Sequence, residues 1–203
     1  MSGRRSKALR REGIVKRRIT AVRLKLPSDR WTRGLAVAGL MTGALAPVSV
    51  WALPEGGTVA SGSATISTPT ATQMQINQTT DRLVLDWRSF NIAGNEWVNF
   101  QQPSAASIAL NRVGGQEPSG IFGSLTANGQ IFLINPSGIL FGSSSRVDVG
   151  ALTASTLNIT NQDFLNNNYR FSQMAGYANA GVVNQGVITA GPGGYVALLG
   201  AAV

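Results

Sequence analysis

The sequence predicts an all-β protein, and among the all-β architectures it favours a parallel β-helix. Short apolar or β-branched windows recur after residue 60, and Gly, Asn, Ser and Pro separate them, as expected for strands bounded by turns. No window shows a long apolar period of 3.6 residues, so long amphipathic helices are not expected. Turns that combine Asn and Gly return at short intervals, which suits a coil that changes direction every few residues.

The predicted strands are three to five residues long. One helical turn is also predicted, over Asp163–Tyr169. The strand windows are Ala64–Thr68, Leu83–Asp86, Trp97–Phe100, Ile108–Asn111, Ile131–Ile134, Ile139–Phe141, Val147–Val149, Val187–Thr189 and Tyr195–Leu199.

The turns decide between architectures only in part. Ala127–Gln130 taken alone predicts a β-hairpin, because Asn-Gly supplies positive φ at both central positions. Similar turns return at Asn135–Gly138, Asn179–Gly181 and Asn184–Gly186, and Val182–Ile188 reads as a strand, a corner and a second strand. This rhythm favours a solenoid of stacked coils, while a β-sandwich and a barrel stay open as alternatives.

The positive charge of the chain is concentrated at its start. The formal net charge is +8, but residues 1–33 hold 12 of the 17 Lys and Arg and only two of the nine acids. Residues 34–203 carry five Arg and seven acids. Because the basic residues belong to a segment that we expect to be removed, no nucleic-acid partner is expected.

Residues 1–52 have the order of an extended secretory signal peptide. A basic n-region spans residues 1–33, and an apolar h-region follows from about Leu35 to Val50. Small or modest residues then precede a predicted cleavage site between Ala52 and Leu53. An uncleaved membrane anchor is disfavoured because the apolar stretch is short and contains Pro47. Twin-arginine export is a weaker alternative, because the paired arginines lie well before the apolar stretch.

Cysteine and histidine are both absent. Disulfides, Cys or His zinc sites, a Cys nucleophile and a His base are therefore excluded, and neither a metal nor a cofactor is expected. A polysaccharide lyase or hydrolase on a β-helix is the alternative from another class. Such a site needs clustered carboxylates. The carboxylates after residue 52 are scattered along the sequence: Glu55, Asp81, Asp86, Glu96, Glu117, Asp148 and Asp163. The chain is therefore not expected to be an enzyme.

Several ordered motifs resemble the secretion domain of filamentous haemagglutinin-family exoproteins, and together they cover most of the chain after the signal peptide. The leader also resembles the extended basic signal peptides of that family. The matching segments are Leu53–Gly57, Trp87–Ile92, Asn111–Val113, Gly120–Gly123, Ala127–Gly142 and Val182–Leu199.

This resemblance implies a right-handed parallel β-helix over residues 53–203, capped at its N-terminus by additional strands. It also implies two-partner secretion. The exoprotein crosses the inner membrane, is recognised by the periplasmic modules of a cognate outer-membrane transporter, and reaches the cell surface or the medium. Trp87, Trp97 and Phe100 are expected in the core of the cap. Adhesion is the activity that the family implies for the whole exoprotein.

Two segments match the family's secretion motifs and are the candidates for transporter recognition. One contains Asn111 and Arg112; the other is Asn135-Pro136-Ser137-Gly138, where the family commonly has a second Asn in place of Ser137. A structural role is the alternative for both. Asn-Pro-Ser-Gly forms a turn by itself, and Asn111 can bond its neighbours along the stack while Arg112 lies ion-paired at the surface.

The end of the sequence is expected to lie within a longer solenoid, because Gly200–Val203 follows a strand-like run. A C-terminally truncated secretion domain is therefore expected, and a non-functional remnant is the alternative. A host-cell or surface glycan ligand is expected only through a downstream region.

Overall fold

The computed structural model describes residues 53–177 and 179–200 of the 203-residue chain. The predicted signal peptide, with Ala52 at its cleavage site, lies outside these residues. Fifteen strands and one helix lie in the described part of the chain: β1 (Thr58–Ser61), β2 (Ala64–Thr70), β3 (Gln73–Gln78), β4 (Arg82–Trp87), β5 (Trp97–Gln101), β6 (Ile108–Val113), β7 (Ser119–Ile121), β8 (Ser124–Ala127), β9 (Gln130–Ile134), β10 (Ile139–Phe141), β11 (Arg146–Val149), β12 (Ala151–Ser155), α1 (Asn161–Leu165), β13 (Val182–Asn184), β14 (Val187–Ala190) and β15 (Val196–Leu199).

The strands form three sheets, which we call A, B and C. Sheet A has the order β1-β4-β6-β9-β12-β15, sheet B the order β13-β10-β7, and sheet C the order β14-β11-β8-β5-β3-β2. From β7 to β15, successive strands lie in sheets B, C and A in turn, whereas β3 to β6 alternate between sheets C and A. From β3 onward, strands of the same sheet pair in parallel with their counterparts in the neighbouring coils. This is the parallel β-helix that the sequence favoured, and it excludes the sandwich and the barrel.

Two antiparallel strands cap the N-terminal end of the helix. Strand β1 pairs antiparallel with β4, and β2 pairs antiparallel with β3. Before β1, the main chain of Glu55 forms an antiparallel bridge with Ser89, and Glu55 pairs its carboxylate with Arg88. These pairings cover the first sheet edges, which would otherwise present unpaired backbone groups.

The interior of the coil is filled by rows of aligned apolar side chains. In sheet A, Leu83 aligns with Ala109, Ala109 with Ile131, and Ile131 with Leu152, and all four are fully buried. Strand β3 shows the same alternation in a polar sequence, since Met74 and Ile76 are buried while Gln73, Gln75 and Asn77, which alternate with them, are partly exposed. Burial of this continuous row is the main apolar contribution to the stability of the stack.

A second apolar cluster lies on the outer face of sheet A. Val84, Ile108, Leu110, Phe132 and Ile134 are buried there together with Ile159 and Phe164. The covering segment is residues 157–171, which we call the strap and which includes α1. Phe132 is central, because Phe164, Tyr169 and Phe171 place their ring centroids 5.7, 5.3 and 6.3 Å from its own. The strap explains why strands β4, β6 and β9 are buried on both faces.

All nine predicted strand windows correspond to strands, with shifts of a few residues at their ends. Strand β13 was predicted separately, as the first strand of Val182–Ile188. The remaining five strands, β1, β3, β7, β8 and β12, were not predicted, because their sequences are short, polar or rich in small residues. The predicted helical turn was misplaced. The helix is Asn161–Leu165, since Thr160 caps it by accepting from the Asp163 amide at 3.0 Å, and Asn167 ends the segment with a φ of 58°.

The Ala127–Gln130 segment is a corner and not a hairpin. Strand β8 before it belongs to sheet C, and β9 after it belongs to sheet A. Gly129 is required here, because a Cβ atom would lie 2.6 Å from both the Gln102 side-chain oxygen and the Ser107 carbonyl oxygen. The chain therefore turns closely against the preceding coil.

The three aromatic residues expected in the cap core have different environments. Trp87 and Phe100 are buried, and Trp87 packs edge-on against Phe90 with 5.5 Å between centroids. The expectation for Trp97 was wrong, because this residue is 39% exposed. It starts β5, two residues before Asn99 on the outward face of sheet C, and its indole N–H donates to Thr126 Oγ1 at 2.7 Å.

Candidate functional site

The two motifs proposed for transporter recognition meet at the carboxyl ends of two neighbouring strands in the middle of sheet A. Strand β6 carries Asn111 and Arg112, and its partner β9 ends one residue before Asn135. The register places Asn111 opposite Leu133 and Arg112 opposite Ile134. The two motifs lie more than 20 residues apart in sequence, but they are carried by hydrogen-bonded neighbouring strands.

Asn111 interrupts an otherwise apolar row inside the coil. It aligns with Leu85 on one side and Leu133 on the other, and it is fully buried. Its Oδ1 accepts from Trp87 Nε1 at 3.0 Å, and its Nδ2 donates to the carbonyls of Phe132 at 3.3 Å and Ala109 at 3.4 Å. Because a buried amide without partners is costly, these bonds let a polar side chain occupy the core.

Arg112 faces outward and fastens the strap. Its Nε donates to Asn158 Oδ1 at 3.1 Å, and its Nη2 donates to the Ile159 carbonyl at 2.7 Å. Its Nη1 lies 3.2 Å from an oxygen of Asp86, and the arginine side chain is 21% exposed. The planar guanidinium thus joins three segments of the chain, which a lysine could not do with the same geometry.

Asn135–Gly138 forms a turn in which each residue type has a separate task. Asn135 Oδ1 accepts from the Ser137 amide at 2.9 Å, and the Gly138 amide donates to the Asn135 carbonyl at 3.0 Å. Gly138 has a φ of 124°, which L side chains rarely adopt. Asn135 Nδ2 also donates to Ser119 Oγ at 2.9 Å and to the Glu117 carbonyl at 3.0 Å. The turn is therefore bonded to the preceding coil.

Ser137 contributes little through its side chain. Its hydroxyl reaches the Gly115 carbonyl at 3.5 Å, the upper limit for a hydrogen bond, whereas its main-chain amide makes the shorter bond to Asn135. The turn thus survives the departure from the family's usual Asn. A shallow groove of about 460 Å³ lies beside Ser137 and is also lined by Gln116, Gly176, Tyr177, Asn179 and Ala180.

Most of the six candidate side chains are hidden in the folded domain. Asn111 and Asn135 are both 0% exposed. Pro136 and Gly138 are also buried, and only Arg112 and Ser137 keep part of their surface. The hydrogen bonds of the two motifs hold the coil and the strap together. Few atoms of the motif side chains are exposed for contact with a partner that binds the folded domain.

The sequence did not predict that Arg112 contacts the strap. Arg82 is a second arginine that holds it, donating from Nη1 to the Phe164 carbonyl at 2.9 Å and from Nη2 to Asn167 Oδ1. The Arg82 guanidinium carbon also lies 5.4 Å from the Phe164 ring centroid. The only signal for these contacts was the rarity of arginine after residue 33, which does not indicate a partner.

Across residues 53–177 and 179–200, no group of three or more Asp and Glu side chains is arranged to hold a metal ion. The same residues contain no helix that is long and apolar enough to cross a membrane. Two acidic side chains, Glu55 and Asp86, form ion pairs with arginine.

Comparison with known proteins identifies the family. The protein-family model named TPS secretion domain matches residues 52–203, which is most of the chain. The chain belongs to the two-partner secretion (TPS) domain family. The crystal structure of the HMW1 secretion domain from Haemophilus influenzae is similar, with 37% identity, a TM-score of 0.65 and coverage of 68% of this chain and 36% of that one. The resemblance drawn from the motifs is thereby confirmed, as is the β-helix fold.

Two curated relatives carry the same name. The heme/hemopexin-binding protein of H. influenzae strain Rd is 43% identical over 104 residues, which are 51% of this chain and 11% of that protein. A second H. influenzae heme/hemopexin-binding protein is 38% identical over 112 residues, or 55% of this chain and 12% of the relative. The match thus spans about a tenth of these relatives. Membership of this family implies export through the periplasm with the help of an outer-membrane transporter.

Proposed function

We propose that residues 53–203 form the N-terminal secretion domain of an exoprotein, which the periplasmic modules of a cognate outer-membrane transporter recognise before the domain folds at the cell surface. The observation that carries the proposal is the meeting of two family motifs, at Asn111–Arg112 and Asn135–Gly138, on adjacent strands of a TPS-type β-helix. The role is non-catalytic: the domain delivers the polypeptide that it belongs to.

The burial of the motifs supports recognition of the unfolded chain. Asn111 and Asn135 have no exposed surface and use their amide groups inside the coil. A transporter module that reads these side chains must do so before the coil closes over them. The same residues then stabilise the fold outside the cell, so one sequence serves two successive steps.

We propose that residues 1–52 are a signal peptide cleaved between Ala52 and Leu53. The family match begins at residue 52, next to this site. Leu53 packs against the interior core, and Pro54 is buried. The amide of Glu55 then bonds to the Ser89 carbonyl at 2.9 Å. A cut at this position leaves a mature chain whose first residues are already part of the cap.

The whole exoprotein is proposed to act as an adhesin or in haem acquisition, and the names of the two curated relatives favour the second. The match covers only 11% and 12% of these relatives. We therefore assign haem or hemopexin capture, and equally a host-cell glycan ligand, to regions of the exoprotein other than this domain.

A secretion assay tests the proposal. The full chain is expressed in a Gram-negative host with a cognate transporter, without it, and with a transporter that lacks its periplasmic modules. Transporter-dependent release of a product that begins at Leu53 is expected. Release that does not need the periplasmic modules would contradict the proposed recognition step. A cleaved product that stays in the periplasm in all three hosts would mean that the chain is a remnant.

Two variants separate recognition from folding. Asn135→Ala removes an amide that bonds the preceding coil, and Arg146→Ala removes an exposed arginine of sheet C as the matched control. We expect Asn135→Ala to lower both release and binding of the denatured chain to the isolated periplasmic modules. Loss of release with unchanged binding would assign Asn135 to folding alone.

A further inference from the structure

The corner between β8 and β9 is built on a dipeptide that is chemically labile. Asn128-Gly129 is the only Asn-Gly pair in the sequence. Asn-Gly deamidates faster than other Asn pairs, because the missing Cβ of glycine leaves its main-chain nitrogen free to approach the asparagine side chain. The remaining asparagines are followed by bulkier residues.

The fold requires both members of this pair. Asn128 spans the main chain of Gln102, since its Oδ1 accepts from the Gln102 amide at 2.7 Å and its Nδ2 donates to the Gln102 carbonyl at 2.8 Å. Gly129 cannot carry a Cβ, because the preceding coil lies within 2.6 Å of its position. The corner thus uses the Asn128 amide as a clamp and the missing Cβ of Gly129 for close approach.

In the folded corner, the hydrogen bonds of Asn128 and Gly129 prevent deamidation of this dipeptide. The Gly129 N–H, which supplies the attacking nitrogen, donates to the buried Oε1 of Gln102 at 2.9 Å. The Asn128 side chain, which carries the carbon to be attacked, is held at both polar atoms on the Gln102 main chain. Neither group can turn towards the other unless the corner opens.

We propose that Asn128 is a deamidation site of the unfolded chain which folding of the β8–β9 corner protects. The Gly129 nitrogen forms a bond to Asn128 Cγ, the Cγ–Nδ2 bond breaks, and ammonia leaves with the amide proton. Water then opens the five-membered succinimide to give aspartate or isoaspartate. The product has no N–H to donate to the Gln102 carbonyl, and isoaspartate adds a main-chain carbon between two strands whose register is fixed.

Intact mass and peptide mapping test the proposal. The purified full chain is incubated at pH 8, either folded or in guanidinium chloride. In denaturant the peptide containing Asn128 is expected to gain 1 Da before any other, with exposed Asn184 as the internal reference. In the folded chain its rate falls about tenfold or more, because reaction then depends on local opening. Equal rates in both states, or first modification at another asparagine, would overturn the proposal.

Variants at two adjacent glutamines locate the protection. Gln102→Ala removes the oxygen that holds the Gly129 N–H and is expected to raise the rate in the folded chain several-fold. The rate should stay below that of the denatured chain, because the Gln102 main chain still holds the Asn128 side chain. Gln101→Ala changes an exposed neighbour and keeps the wild-type rate. Circular dichroism confirms that both variants are folded under the assay conditions. If Gln102→Ala folds and Asn128 keeps the wild-type rate, the role assigned to Gln102 Oε1 is wrong. If the variant does not fold, the comparison of folded and denatured wild type decides.

Discussion

Arg112 on strand β6 donates to the carbonyl oxygen of Ile159 at 2.7 Å, across 47 residues of sequence. The bond joins a residue of a secretion motif to a strap that the chain forms only after four coils have been laid down. The family motif around Arg112 thus holds the strap on sheet A, in addition to any contact that it makes with a transporter.

Loss of this fastening should loosen the strap without unfolding the coil. Arg112→Ala removes three side-chain contacts, of which the pair with half-exposed Asp86 adds little. We expect a loss of about 1–2 kcal/mol in the free energy of unfolding and faster proteolysis within residues 157–171. Arg112→Lys should recover only part of it, and Arg146→Ala should be nearly neutral. A strap equally resistant in all variants would contradict this role.

The buried pair of Trp87 and Asn111 should show strong coupling. Asn111→Leu leaves the indole N–H of Trp87 without its acceptor and should destabilise by about 1–3 kcal/mol. In the double variant Trp87→Phe/Asn111→Leu the unpaired donor is gone, so the cost should be smaller than the sum of the two single changes. Chemical denaturation of the four chains measures the coupling, and strict additivity would argue against the bond.

Ser137→Asn restores the residue that the family commonly has at this place. Because the turn depends on the Ser137 amide and not on its hydroxyl, stability should change by less than about 0.5 kcal/mol. Gly138→Ala is the contrasting variant, since its φ of 124° strains any side chain, and it should cost more than about 1 kcal/mol. Thermal melts of both variants decide whether the backbone or the side chain is essential.

Trp87 and Trp97, the two tryptophans of residues 53–203, should report opposite environments in a protein of these residues. Trp87 is 3% exposed and Trp97 is 39% exposed. Trp97→Phe should leave a blue-shifted emission that acrylamide quenches weakly, and Trp87→Phe should leave a red-shifted emission that is quenched readily. The reverse result would show that Trp97, and not Trp87, lies in the core.

Most of the strands and the Asn135–Gly138 corner could be predicted because their signals are local. Ile131–Ile134 is apolar and β-branched, and Asn135–Gly138 contains every residue type that its turn needs. The strap could not be predicted in the same way. Its contacts with Arg82 span up to 87 residues, and a short capped helix at Asn161–Leu165 gives no apolar period by which to recognise it.

The error over Trp97 has a different cause. Two aromatic residues in one short strand were assigned together to the core, and Phe100 indeed points inward. Trp97 lies at an odd spacing from Phe100, so the pleat places the two rings on opposite faces of the sheet. Strand periodicity alone would have separated them.

The antiparallel cap gives the solenoid a direction. Strands β1 and β2 terminate two sheets at one end, while the order β4-β6-β9-β12-β15 follows the sequence towards the other. New coils can therefore be added at one end only, and each is templated by the coil made just before it. When a polypeptide emerges from a pore in sequence order, the preceding coil is already complete and can template the next one. Folding can therefore proceed as the chain emerges. Each folded coil prevents the chain from sliding back, so random thermal motion results in net outward movement.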